Sequence, residues 1–163
     1  MNWREGPFEP KMQNILDRID CLYDQYGIPV AVIGDSAGGG PTARALALRP
    51  NKVSCAVLLC AEIENPASVA HRFADNPAFE ESMALVLDTK RRLNDLGRTQ
   101  DILSLRPAFD TKVPPEDTIV PGADNRLIEN FGPLSTNGHA ASIMMMYAFG
   151  AAEIAEFIKT RAS

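Results

Sequence analysis

The chain of 163 residues has only two histidines, three cysteines and one tryptophan, and these scarcities already narrow its chemistry. Cys21, Cys55 and Cys60 form an odd set with no CxxC spacing, and two of them lie in an apolar run where a thiol acts as a small hydrophobe. Neither a disulfide framework nor a zinc site is expected, and no metal or organic cofactor is implied. Long hydrophobic runs are also missing. The longest, Val53 to Ala61, falls well short of the ~18 residues that span a bilayer and suits a buried strand. The N-terminal MNWREGPFEP lacks the apolar core of a signal peptide, so a cytoplasmic location is the expectation. Basic runs are scarce too: the densest, Lys90-Arg91-Arg92, is flanked by Asp88 and Asp95 and reads as a solvated helix face. With 16 Lys+Arg against 21 Asp+Glu the net charge is −5, which repels a phosphate backbone and argues against nucleic acid as a partner. What is present, 45% hydrophobic and 23% charged residues, excludes disorder, collagen and coiled coil.

Met12, Ile15, Leu16, Ile19, Leu22 and Tyr23 recur at three- and four-residue spacings, predicting an amphipathic helix ended by Gly27 and Pro29. Four strands are expected: Pro29–Ile33, Val53–Ala61, Asp101–Leu105 and, more weakly, Asn125–Phe131. The first two lack polar alternation, as strands buried on both faces do. Between and after them the pattern predicts helices over Pro41–Leu48, Phe79–Leu96 and Ala140–Arg161. Met83, Leu85, Val86, Leu87 and Leu93 would give the second of these a core-facing side. Strands separated by helices imply right-handed crossovers and an α/β domain, with a mostly parallel sheet between flanking helices in three layers. Residues 1–163 read as one domain with a helical, cap-like insert at about 62–100. Phe73, Phe79, Met83, Leu85 and Leu87 of that insert are candidates for lining a pocket or for core packing.

Gly34-Asp35-Ser36-Ala37-Gly38 is a G-x-S-x-G set directly between a predicted strand and a predicted helix. That is the context of a nucleophile elbow, in which small neighbours allow a tight turn that lifts the serine Oγ above the sheet. The amide of Ala37 would then point toward a developing oxyanion. A phosphate-binding loop fits less well, because the Lys-Ser/Thr pair of a P-loop and the G-x-G-x-x-G spacing are both missing. A serine nucleophile needs a base. His139 follows Gly138 after the last strand, whereas His71 lies in the polar insert. An orienting acid is sought after a strand between Ser36 and His139. Asp110 follows the third strand; Asp117, in a similar D-T-x-V-P context, is the alternative, and Asp124 ranks behind both.

Taken together, the elbow at Gly34–Gly38, the strand Val53–Ala61, the helical insert, Asp110, His139 and the closing helix resemble the α/β-hydrolase family, especially its small lipase- and esterase-like members. The resemblance spans essentially the whole chain. It implies an α/β-hydrolase-like fold and a serine hydrolase acting on a small-molecule ester or related acyl bond through an acyl-serine. Ser36 would be nucleophile, His139 base, Asp110 orienting acid, and Gly34, Ala37 and Gly38 the elbow. The departure lies at the front: only 28 residues precede Pro29, so the fold reads as N-terminally shortened. The strand Val30–Ile33 would then expose an apolar edge, through which the chain would form homo-oligomers, and a second oxyanion donor would be wanting. Trp3 and Phe8 are candidates to cover that edge or the pocket. The alternative reading is a catalytically degenerate module that binds a partner or dimerises through the edge.

Overall fold

A computed structural model of the chain describes residues 5–64, 76–129 and 138–161. Trp3, His71, Phe73 and Phe131 lie outside the described residues. Four strands, β1 (Val30–Asp35), β2 (Val53–Leu59), β3 (Ile102–Pro107) and β4 (Asp124–Ile128), form one parallel sheet in the order β1-β2-β3-β4. Each strand pairs with the next in sequence; Gly34 lies beside Leu58, and Leu59 beside Leu105. Every residue of β2 is buried, which is why its sequence is apolar but for Ser54.

Helices cover both faces. On one side, α1 (Phe8–Tyr26) and α2 (Gly39–Leu48) pack with α3 (Pro77–Ala84) and α4 (Val86–Asp95) over Ala56, Leu58 and Ile102. The buried stripe of α1 is Phe8, Met12, Leu16 and Ile19, as its spacing predicts. Phe8 is thus core rather than a cover for the sheet edge or pocket, and its amide donates to Glu81 on α3. On the other side, α5 (His139–Phe149) and α6 (Ala151–Arg161) bring Met146, Ile154 and Phe157 onto Val57, Leu59, Leu103 and Leu105. The layers are those expected of an α/β protein with a parallel sheet.

Two expected helices are broken. In place of one helix over Phe79–Leu96, α3 and α4 meet at Leu85, whose amide bonds to the Ser82 carbonyl in a tighter turn. The Leu85 carbonyl then accepts from both the amide and the hydroxyl of Thr89, each at 2.9 Å, at the start of α4. Leu87 consequently points outward, 73% exposed, while Phe79 and Met83 belong to the core and do not form a pocket with it. The C-terminal segment likewise bends by 62° between α5 and α6. There Gly150 lets the chain approach β3 closely: a Cβ would sit 2.8 Å from Leu105 Cδ1 and 2.6 Å from the Met146 carbonyl oxygen. No described helix alone is long and apolar enough to cross a membrane.

Among the described residues, the outer edge of β1 pairs with no strand. A groove of about 390 Å³ runs beside it, lined by Ile15, Arg18, Ile19 and Leu22 of α1 and by Val30–Ile33.

Candidate active site

The serine sits where β1 becomes α2. Asp35 is still extended, and Ser36 then turns into the left-handed region at φ 49°, opening a short 3₁₀ turn over Ser36–Gly38. A non-glycine residue there is uncommon and costs on the order of 1–3 kcal/mol. The surrounding glycines make the turn sterically feasible. A Cβ on Gly34 would come within 2.3 Å of Thr42 Oγ1 and 2.4 Å of the Gly38 carbonyl, and one on Gly39 within 2.2 Å of Ala61 Cβ. The Ala37 amide follows Ser36 in this turn, at the positively polarised start of α2.

From the opposite face of the sheet, His139 opens α5 and places Nε2 at 2.6 Å from Ser36 Oγ. Its Nδ1 lies 2.8 Å and 2.9 Å from the two oxygens of Asp110. Asp110 follows β3 in a turn whose Lys112 and Val113 amides both donate to Oδ1, at 2.8 Å and 3.1 Å. Its side chain is 1% exposed. Burial pushes the carboxyl up, but the hydrogen bonds from His139 and the two amides outweigh it, so the group lies below its ordinary value and is ionised at neutral pH.

Of the residues singled out from sequence, the structure brings Ser36, His139 and Asp110 into one chain of hydrogen bonds. It leaves the alternative acid Asp117 elsewhere: that residue lies in the 3₁₀ turn Pro115–Thr118, where its main-chain carbonyl accepts from the amides of Ile63 and Glu64. Asp124 pairs with Arg126.

Two neighbours of the site carried no sequence signal. Thr111 accepts a hydrogen bond from the His139 amide at 3.0 Å. Cys60, at the end of β2, also has a left-handed backbone, at φ 50°. Burial, with Asp110 and Asp35 adding to it, pushes its thiol up to about 12, so it stays protonated and is a poor nucleophile.

The arrangement is one that can activate a hydroxyl. Asp110 fixes the tautomer in which Nδ1 carries the proton, leaving Nε2 to accept from Ser36 Oγ. Among the described residues no group of His, Cys, Asp or Glu has the geometry to hold a metal ion.

No protein-family model matches the sequence, and comparison with curated proteins found no match. Solved structures do. A lipase of Bacillus licheniformis, BlEst2, superposes with a TM-score of 0.68 at 12% identity, over 94% of this chain and 75% of its own. A structure of the metagenome-derived lipolytic enzymes LipS and LipT gives 0.65 at 16% identity, over 96% and 76%. MGS-MChE2, an alpha/beta hydrolase enzyme from a metagenome of lagoon sediments at Mar Chica, Morocco, gives 0.52 at 21% identity, over 91% and 70%. At such identities the likeness is one of architecture, and by its sheet order, its strand–turn–helix elbow and these superpositions the chain has the α/β-hydrolase fold.

Proposed function

We propose that the chain is a serine hydrolase that cleaves an ester or related acyl bond of a small molecule through an acyl-serine intermediate. The observation that carries this reading is the unbroken relay from Ser36 Oγ through His139 to Asp110, at 2.6 Å and 2.8 Å, with the serine on a left-handed turn. Ser36 Oγ attacks the acyl carbon while its proton passes to His139 Nε2. The imidazolium so formed is stabilised by Asp110. The Ala37 amide faces the developing oxyanion, and His139 returns the proton to the leaving alcohol as the acyl-serine forms. Water, deprotonated by the same imidazole, then attacks the acyl-serine and releases the acid. The lipolytic activities named for the structural relatives support an acyl ester as substrate.

Intact-mass analysis after exposure to a fluorophosphonate probe tests this. A single adduct is expected, lost in Ser36→Ala and sharply reduced in His139→Ala. Folded wild-type protein that takes no adduct would refute the reading.

The β1 edge, unpaired among the described residues, and its groove favour a second reading, a hydrolase-fold module that self-associates. It predicts dimers by light scattering that dissociate in Ile33→Lys, together with no probe adduct.

A further inference from the structure

We propose that Thr111 is a positioning residue for His139, holding the backbone of the base while Asp110 holds its ring. The inference rests on the serine-hydrolase reading for its kinetic consequence, but not for its geometry.

His139 is the first residue of α5, so its N–H is one of the amides that a helix start leaves without an intrahelical acceptor. The side chain of the residue just before a helix ordinarily caps the second or third amide, so this first one is usually left to water. The acceptor comes instead from Thr111 Oγ1, 28 positions earlier and 3.0 Å away. Gly138 lies close against the same hydroxyl: a Cβ there would be 3.5 Å from Thr111 Oγ1.

Thr111 is the immediate neighbour of Asp110, within the turn that Asp110 Oδ1 closes on the Lys112 and Val113 amides. One rigid turn therefore grips the base at two points: its ring Nδ1 through Asp110 and its amide through Thr111. Two anchors define the direction of the imidazole as well as its distance, which a single carboxylate contact does not. That direction governs the 2.6 Å approach of Nε2 to Ser36 Oγ, and a displacement of about 1 Å at a reacting group can cost a hundredfold in rate. Because Thr111 is exposed, water can replace its hydroxyl as acceptor, so the expected loss is smaller.

The test compares Thr111→Val, which keeps the shape and loses the acceptor, with Thr111→Ser, which keeps the acceptor. Two readouts are taken well below the melting temperature. The first is the second-order rate of fluorophosphonate labelling, expected to fall about tenfold in Thr111→Val and to recover to near wild type in Thr111→Ser. The second, independent of activity, is the downfield proton NMR resonance of the His139 Nδ1–H, assigned by its loss in His139→Gln. It is expected to shift or broaden in Thr111→Val alone. A Thr111→Val protein that labels at the wild-type rate with an unchanged resonance would overturn the proposal. So would a labelling loss that Thr111→Ser fails to restore. If wild type takes no label, the hydrolase reading fails by itself, and the resonance still decides whether Thr111 positions His139.

Discussion

Replacing Asp110 by asparagine probes the site through one proton. The Lys112 and Val113 amides both point at Oδ1, so an asparagine must keep its carbonyl oxygen there and turn its NH₂ toward His139 Nδ1. At 2.8 Å that NH₂ can only donate, and the oxygen 2.9 Å from Nδ1 is already taken by the two amides, so the balance moves to the tautomer in which Nδ1 accepts and the ring proton sits on Nε2. Nε2 then faces Ser36 Oγ as a donor and can no longer take its proton. Side-chain volume and loop geometry are nearly unchanged, so the loss reports tautomer and charge. A wrong tautomer of this kind costs about 10⁴ in rate, or about 5.4 kcal/mol of barrier. The assay is the rate of fluorophosphonate labelling and of p-nitrophenyl acetate hydrolysis, normalised to folded protein. Asp117→Asn is the control, expected within twofold of wild type because the contacts of Asp117 run through its main chain. An Asp110→Asn protein within tenfold of wild type, or a larger loss in Asp117→Asn, would refute the assignment.

Other perturbations address the elbow and the carboxylate. The left-handed Ser36 costs about 1–2 kcal/mol that glycine avoids, set against about 0.5–1 kcal/mol for glycine's freer unfolded chain. Ser36→Gly should therefore melt a few degrees above Ser36→Ala, both without activity; equal melting temperatures would contradict the strain argument. Gly39→Ala forces a Cβ against Ala61 Cβ and should destabilise by about 1–3 kcal/mol in urea titration, and the added Ala61→Gly should recover most of the loss. Asp110 has its pKa lowered by folding, so it contributes stability above its ordinary value of 3.8, lost as pH falls through the folded value. The urea midpoints of wild type and Asp110→Asn should accordingly converge as pH drops below about 3.8, and a constant gap would rule this out.

The parts of the site legible in the sequence are those that a short stretch determines. Gly34 announces a tight strand-to-helix turn because a Cβ there would strike Thr42 and the Gly38 carbonyl, and β2 announces itself because burial on both faces leaves it apolar but for Ser54. Asp110 stood out from Asp117 only through the strand in front of it, since both share the same following residues. The breaks at Leu85 and Gly150 were not legible. One depends on the Leu85 amide turning to the Ser82 carbonyl, the other on how closely the end of α5 approaches Leu105. The bond from the His139 amide to Thr111 joins residues 28 apart with β4 between them in sequence, and a threonine in a turn has no pattern that names a distant partner. The backbone of Cys60 was equally hidden, because its sequence context is that of an ordinary buried strand end.

Ser36 and His139 are 103 residues apart, and β2, β3, β4 and the helices α2 to α4 come between them in sequence. β1 joins β2, β2 joins β3 and β3 joins β4, each strand needing only its predecessor in sequence, so the sheet can grow from one side in the order of synthesis. On the proposed reading the nucleophile is in place at the beginning of that growth and its base arrives at the end. Reactivity at Ser36 would then be a late event in assembly: a chain arrested before α5 docks would carry the complete elbow yet be inert. During refolding, covalent labelling of Ser36 should lag behind the recovery of secondary structure, and the lag would time the docking of a single helix.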